Sequence, residues 1–254
     1  MSKRIRIIPA LLLMNEGLYK TVGFKDPAYV GDPINTVKIF NEKEADELVL
    51  VDITVSRDNK PINYKKIAEI AGEAFMPMAY GGGIRSFDDA CKVFDAGFEK
   101  VIINSAAVRN PDLLGAIARV YGSQAVVVSM DVRPNWLRKY KVFTLGGTQN
   151  TNLSPEVYAR QVESAGAGEI FLQAIHKDGT WGGYDIPLIK MVSDAVNIPV
   201  VACGGAGNID DFKKAVIDGG ASAVAAGSMF VYQKKGMGVL ITFPTGDNIR
   251  MGNN

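Results

Sequence analysis

Short apolar runs alternate with amphipathic segments along the whole chain. Continuous apolar runs are typical of parallel strands that are buried on both faces of a sheet. They cover eight stretches, at residues 4–13, 47–53, 75–80, 100–104, 125–131, 169–175, 198–203 and 223–227. Eight strand–helix units predict an α/β fold, a single (β/α)8 TIM barrel that comprises residues 1–254.

One phrase occurs twice, as MAYGGGIRS at residues 78–86 and as VACGGAGNI at residues 201–209. The segment after the first copy predicts a helix with Ser86 as N-cap, an acidic first turn and Gly97 beyond its end. The segment NIDDFKKAVIDGG repeats this pattern, and the matching turns INSAAV and AAGSMF follow further on. The repeat predicts two half-barrels, at about residues 1–122 and 123–254.

The glycines of this phrase predict anion binding. Glycine lets a backbone approach an anion closely, and backbone N–H groups near helix starts attract negative charge. We therefore predict one phosphate pocket in each half, at Gly82 and Gly83 and at Gly204 and Gly205. Together they would hold a ligand with a phosphate at each end. The alternative is that these glycines serve only turns and tight packing.

Composition narrows the function classes. The chain has 254 residues, 47% of them hydrophobic, and a formal net charge of +1 with both signs interspersed, which favours neither nucleic acid nor anionic membrane. Cys91 and Cys203 fit no metal spacing, so we expect reduced core residues of a cytoplasmic protein. The apolar start is too short for a membrane span or a signal peptide and is interpreted as a strand. We predict no metal and no organic cofactor.

Eight phrases carry a family resemblance: KRIRIIP, GDPINTVKIFNEKEADELVLVDIT, GGGIRSFDDA, EKVIINSAAV, GSQAVVVSMD, GAGEIFL, DGTWGGYD and IPVVACGGAGNIDDF. From residue 4 to about residue 230 the chain resembles HisF, the cyclase subunit of imidazole glycerol phosphate synthase in histidine biosynthesis. The resemblance implies a barrel with a HisH-like glutaminase on its amino-terminal face. Ammonia would pass through the barrel to a phosphorylated ligand at the other face.

The resemblance also implies roles for particular residues. Substrate or phosphate contacts would come from Lys20, Gly82, Gly83, Asn104, Ser105, Asp178, Gly179, Thr180, Gly204, Gly205, Gly227 and Ser228. Four charged residues at strand starts match the family's ring at the ammonia entrance, namely Arg6, Glu47, Lys100 and Glu169. Two acids and two bases there would neutralise one another near an apolar interior. The alternative is four solvated charges.

The chain departs from the family at the catalytic pair, which is one aspartate after strand 1 and one after strand 5. The second is kept as Asp131, but Leu12 stands at the first position and cannot transfer a proton. His176, the one histidine, stands where the family usually has an aspartate, and both a structural and a catalytic role are open to it. Gln173 replaces a small hydroxyl residue, and residues 236–254 predict an extended tail instead of a charged helix.

Two connections on the ligand face are also notable. Residues 11–31 form a long connection of the kind that often acts as an active-site lid. Residues 132–151 predict a short hairpin, on which Trp136, Arg138 and Lys139 would contact a partner, a ligand or only solvent.

The combination of motifs is most similar to a branch of second HisF homologues that accompany a HisH-like glutaminase and a sugar amidotransferase. In that branch an N-acetyl group of a surface-polysaccharide sugar becomes an acetamidino group. The resemblance implies a subunit that passes ammonia onward, and whether it catalyses a reaction itself stays open. The alternatives are a cyclase that converts PRFAR and ammonia to imidazole glycerol phosphate and AICAR, an aldose–ketose isomerase of the related HisA type, and an interaction protein without a ligand.

Overall fold

The computed structural model describes residues 5–244. Its strands are β1 (Arg6–Met14), β2 (Gly17–Val22), β3 (Lys25–Gly31), β4 (Leu48–Asp52), β5 (Met78–Gly81), β6 (Lys100–Ile103), β7 (Val126–Pro134), β8 (Tyr140–Thr144), β9 (Gln149–Asn150), β10 (Glu169–Ala174), β11 (Val200–Cys203) and β12 (Ala223–Ala226). Its α-helices are α1 (Pro33–Glu42), α2 (Tyr64–Ala71), α3 (Phe87–Asp95), α4 (Ser105–Arg109), α5 (Asp112–Tyr121), α6 (Pro155–Ala165), α7 (Ile186–Ser193), α8 (Ile209–Ile217) and α9 (Ser228–Val231). Short 3₁₀ turns lie at Ser123–Ala125 and Ile175–Lys177.

Eight of the strands form a closed parallel barrel, in the order β1, β4, β5, β6, β7, β10, β11 and β12. β12 pairs with β1 in parallel and closes the ring. This arrangement confirms the predicted (β/α)8 barrel. Each strand is buried on both faces, which explains why the strands are continuous apolar runs instead of alternating ones.

Apolar side chains fill two layers. One cluster lies between the strands and the surrounding helices. A second, smaller cluster fills the inside of the barrel with Ile8, Ala10, Val49, Ala79, Ile102, Val127, Phe171, Val201, Cys203, Ala223 and Ala225. Both cysteines are free, but only Cys203 is a core residue, because Cys91 lies half-buried on the outer helix α3.

The repeated phrase produces the same local structure twice. Ser86 caps α3 with a capping box to Asp89, and Asn208 caps α8 with a capping box to Asp211. Gly97 follows the end of α3 in a left-handed conformation, with φ of 101°. The division into two half-barrels stays a prediction.

Two antiparallel hairpins extend from the carboxyl ends of barrel strands. The predicted lid connection is not an open loop, because β2 pairs with both β1 and β3 and its backbone groups are satisfied there. The predicted hairpin at residues 132–151 is confirmed as β7 and β8. Trp136 at its tip is 87% exposed, and its contact with a partner stays a prediction.

The chain after α9 contains no helix over residues 232–244, as predicted for an extended tail. Phe243 from this segment stacks edge-on against Phe40 of α1. The rest of the predicted tail, residues 245–254, and Arg4 of the first predicted strand lie outside the described residues. Among residues 5–244, no helix combines the length and the apolar character that a membrane crossing requires.

Candidate functional site

A cavity of about 530 Å³ opens at the carboxyl ends of the barrel strands. Ligands of TIM barrels bind at this face. Most of the predicted site residues line it, from both halves of the chain: Leu12, Lys20, Gly82, Gly83, Asn104, Ser105, Asp131, Asp178, Gly179, Gly204, Gly205, Gly227 and Ser228. Residues far apart in sequence therefore share one cavity.

Thr180 is the exception among the predicted contacts. It is not part of the cavity lining. Its hydroxyl donates to the carbonyl of Lys177 at 2.8 Å and accepts from the backbone N–H of Gly182 at 3.3 Å. These bonds stabilise the turn, so the structure assigns Thr180 to loop geometry.

Glycine is required at the strand ends that form the cavity wall. Gly82 and Gly204 have φ of 107° and 96°, which side-chain-bearing residues rarely adopt. A Cβ atom at Gly82 would lie 2.3 Å from the carbonyl oxygen of Asp52, and one at Gly204 would lie 2.7 Å from that of Ala174. The backbone at both turns thus lies directly against the preceding barrel strand.

Lys20 reaches the cavity from β2, outside the barrel proper. Pairing of β2 with β1 turns its side chain inward, where it is buried and donates to the carbonyl of Ala10 at 3.2 Å. Burial lowers the pKa of Lys20, and the nearby Asp178 acts against this. Gly227 makes room for the ammonium group, because a Cβ atom there would lie 1.8 Å from Nζ.

Asp131 is the titratable group best placed for proton transfer. It is buried on β7, where Oδ1 accepts from the hydroxyl of Ser129 at 3.1 Å and Oδ2 accepts from the amide of Asn104 at 3.3 Å. Burial disfavours the charged form and raises the pKa of Asp131 to about 7. A carboxyl group with this pKa exchanges protons readily near neutral pH.

Leu12 occupies the corresponding place on β1. It pairs with Val51 of the next strand, as Asp131 pairs with Gln173. Sequence reasoning missed one acid near Leu12. This acid is Asp52, which ends β4 and lines the cavity. Asp52 Oδ1 accepts three bonds from the turn that follows, two from Thr54 and one from Val55. It is therefore a turn-forming carboxylate that leaves the position of Leu12 without an acid.

His176 lies outside the cavity lining. Its Nε2 is 2.9 Å from Asp185 Oδ2, and the hydroxyl of Tyr140 donates to the same carboxylate at 2.8 Å. Asp185 also caps α7. This network joins the β7–β8 hairpin to the segment after β10, so the geometry favours the structural role for His176.

Three arginines of the cavity were not predicted as site residues: Arg57, Arg85 and Arg109. Each follows the carboxyl end of a barrel strand in the first half of the chain, after β4, β5 and β6 respectively. That position was the available signal, because all such segments meet at one face of a barrel.

The four predicted ring residues meet at the opposite end of the barrel. Lys100 Nζ donates to Glu47 at 2.8 Å and to Glu169 at 2.9 Å. Arg6 donates through Nη1 to Glu47 at 2.8 Å and through Nη2 to Glu169. Each acid thus bridges both bases. Burial alone would lower the pKa of Arg6, but the Glu169 and Glu47 carboxylates outweigh this effect and raise the pKa above its ordinary value.

A thin apolar layer separates this charged ring from the cavity. Val49, Ile102 and Phe171 line the cavity, and each lies two residues after a ring member that begins or directly precedes its strand. Two residues along a strand correspond to about 7 Å, and the side chains point to the same face. Apolar side chains therefore lie between the charged ring and the cavity.

No cluster of three or more histidine, cysteine, aspartate or glutamate side chains suited to a metal ion occurs within residues 5–244.

The chain matches the family model of histidine biosynthesis proteins over residues 6–236. It is 49% identical to a Pseudomonas aeruginosa protein named provisionally as imidazole glycerol phosphate synthase subunit hisF2, over 98% of this chain and 99% of that protein. It is 42% identical to a Vibrio vulnificus protein with the corresponding provisional name hisF3, over 95% of this chain and 94% of the relative. An Alkaliphilus metalliredigens protein named imidazole glycerol phosphate synthase subunit HisF is also 42% identical, over 90% of this chain and 91% of its own length.

Proposed function

This chain belongs to the HisF family of imidazole glycerol phosphate synthase subunits, and we propose that it conducts ammonia as a member of that family. We further propose that, unlike the family's cyclases, it does not close an imidazole ring. It receives ammonia from a HisH-like glutaminase at the amino-terminal face of the barrel. It delivers the ammonia through the cavity to a sugar N-acetyl amidotransferase that forms an acetamidino group.

The observation that carries this proposal is the ion-paired ring directly below the cavity floor. Glu47 and Glu169 are 95% buried, at the end of the barrel that lies opposite the ligand cavity. Holding charges there costs desolvation energy, which the mutual ion pairs offset. An ordered charged entrance, a thin apolar layer and a polar cavity are the three features that transfer of a small neutral base requires.

The absence of ring closure rests on Leu12. Ring closure in this family depends on two carboxyl groups that face the substrate, one as acid and one as base. Here the cavity holds Asp131 at one position and an aliphatic side chain at the other, and the nearby Asp52 is engaged in its own turn. Ammonia that reaches the cavity is therefore used by another protein.

The delivery to a sugar amidotransferase rests on the resemblance to the second-homologue branch. The relatives with provisional names hisF2 and hisF3 are consistent with such a branch, since their names number them as further copies.

The second candidate function is PRFAR cyclase, and Asp131 favours it. Its pKa of about 7 suits an acid–base group, and Lys20 and Asn104 lie in the same cavity. The same missing acid argues against an isomerase of the HisA type, which also needs two carboxylates. Incubation of the purified chain with PRFAR and excess ammonium salt separates the candidates. We expect no AICAR, whereas sustained AICAR release would establish the cyclase.

Ammonia transfer is tested in the reconstituted complex of this chain, its glutaminase and the amidotransferase. Glutamine labelled with ¹⁵N in its amide is supplied together with excess unlabelled ammonium in the medium. We expect ¹⁵N in the acetamidino product, because ammonia inside the barrel does not mix with the medium. Product labelled only to the level of the medium would contradict the proposal.

The matched variants are Glu169→Gln in the ring and Asp194→Asn, which follows α7 and forms an exposed ion pair with Lys190. The ring variant is expected to reduce ¹⁵N transfer, and the surface variant to leave it unchanged.

A further inference from the structure

The two glycine turns share a backbone plan but differ in charge. Counted from the repeated glycines and strand starts, Arg85 corresponds to Gly207, Arg109 to Tyr232, and Arg57 to Gly179. Three cationic positions of the first half thus have uncharged counterparts in the second. All three arginines line the cavity, and the loop that carries Arg57 contacts both Gly83 and Arg85.

One loop holds Arg57 and Arg85 close to the glycine turn at Gly82 and Gly83. Ser56 Oγ accepts from the backbone N–H of Gly83 at 3.0 Å, which fixes the loop after β4 on the turn. Arg85 Nη2 donates to the carbonyl of Val55 in the same loop at 3.3 Å. The guanidinium of Arg85 therefore lies beside the loop that carries Arg57.

The third arginine comes from the neighbouring strand end. Arg109 Nε donates to the carbonyl of Ser105 at 3.3 Å, so its side chain folds back over α4 toward the cavity. Asp58 pairs with Arg57 at 2.7 Å and compensates one of the three positive charges. Arg85 and Arg109 therefore supply the main cationic contacts for a ligand on this side, and Arg57 supplies a weaker one.

The side of the cavity at Gly204 and Gly205 has a different balance of positive and negative charge. Its one cationic group is Lys20, which is buried and electrostatically coupled to Asp178. Asp131 lies between the two sides, with its Oδ2 3.3 Å from the amide nitrogen of Asn104. A ligand with unequal charge at its two ends would therefore bind in one orientation.

We propose that the pocket of the first half, formed by Gly82, Gly83, Arg57, Arg85 and Arg109, recognises a diphosphate group. Adjacent phosphates carry more negative charge than one phosphate and offer oxygens to several planar guanidinium forks at once. A single phosphate engages only part of such a set. This inference deepens the proposed function, because it rests on the cavity being the ligand site of the ammonia-conducting subunit.

Titration calorimetry of the purified chain with inorganic pyrophosphate and with orthophosphate tests the proposal. We expect pyrophosphate to bind about 10-fold or more tightly, a preference that weakens as salt screens the arginines. Equal affinity for the two anions would overturn the proposal.

Arg85→Gln and Arg109→Gln are each expected to weaken pyrophosphate binding about 5- to 10-fold and orthophosphate binding by less. Arg160→Gln on α6, outside the cavity lining, is the matched control and should change neither. Because the arginines are exposed, circular dichroism should show an unchanged fold. Loss of binding in the control alone, or unchanged binding in both cavity variants, would contradict the assignment.

Uridine diphosphate distinguishes the source of the group. If uridine diphosphate binds at least as tightly as pyrophosphate, the natural ligand is an esterified diphosphate. If it binds about 10-fold more weakly, a difference of about 1.4 kcal/mol, the natural ligand is free pyrophosphate. These titrations need neither glutaminase nor ammonia. A missing pyrophosphate preference therefore overturns this inference alone, and a failed ¹⁵N transfer overturns the proposed function alone.

Discussion

The carboxyl end of β1 and the carboxyl end of β7 occupy corresponding places in the barrel and carry Leu12 and Asp131 respectively. Elsewhere at this face the backbone is alike in the two parts of the chain, because β5 and β11 are followed by the same left-handed glycine turns and the same capping boxes. The side chains that face the cavity are not alike. One half provides arginines and no acid–base group, whereas the other provides a buried acid and is reached by a buried lysine.

At the opposite end of the barrel the two acids occupy corresponding places, whereas Arg6 and Lys100 correspond to Ala125 and Ala223. Glu47 precedes β4 and Glu169 begins β10, and each accepts hydrogen bonds from both Arg6 and Lys100. The difference between the two ends teaches that the repeat fixes the backbone, while single side chains set the chemistry. One end thus pairs an acid with an aliphatic residue, and the other keeps an acid in both places.

The largest expected effect comes from restoring the lost acid. Leu12→Asp supplies a second carboxyl group to the cavity, and we expect PRFAR conversion with ammonium salt to rise about 10²- to 10⁴-fold above the background measured with the natural chain. AICAR release measures it, and Leu12→Asn controls for the polar change without a titratable group. A natural chain as active as the Asp variant would remove the functional difference between the halves.

Asp131 should give the barrel a pH-dependent stability. An aspartate in an unfolded chain titrates near pH 3.9, whereas burial raises the pKa of Asp131 to about 7. Between these values the folded chain binds more protons, so its stabilising contribution, complete below about pH 4, is lost by about pH 7. Relative to Asp131→Asn, we expect a loss on the order of 4 kcal/mol. Urea unfolding at several pH values measures it, and parallel curves would show that the carboxyl group is not desolvated.

The charged ring should respond equally in both halves. Glu47→Gln and Glu169→Gln each leave two cations with one carboxylate, and each should lower the free energy of unfolding by about 2 kcal/mol. Asp194→Asn in an exposed pair should cost less than about 0.5 kcal/mol. Strongly unequal effects of the two ring variants would break the symmetry at this end.

The smallest expected effect tests whether Lys20 contacts an anion in the phosphate pocket at Gly204 and Gly205. Gly227→Ala places a methyl group where Nζ now lies and displaces the lysine tip, so orthophosphate should bind about 10-fold more weakly. Gly238→Ala, in open space, is the control. Calorimetry measures both, and unchanged binding in the cavity variant would mean that Lys20 does not contact the anion.

Much of the fold was predictable because its signals are local. Continuous apolar runs, Ser86 before an acidic turn and Gly97 after it specify strands and helices without reference to distant residues. The connection after β1 was harder, because its two hairpin strands are half exposed and stabilised by pairing with β1. The contact predicted for Thr180 stays a prediction, because a motif indicates the loop but not which of its side chains turn inward.

The sequence by itself determined the barrel, the two glycine turns, the four charges at strand starts and the loss of an acid at Leu12. These follow from residue identity and from the fixed direction of parallel strands. Only the tertiary structure decided the burial that raises the pKa of Asp131, the reach of Lys20 from a neighbouring strand and the presence of three arginines from separate segments in one cavity. Desolvation and proximity depend on atoms far apart in sequence, so they exist only once the chain has closed into a barrel.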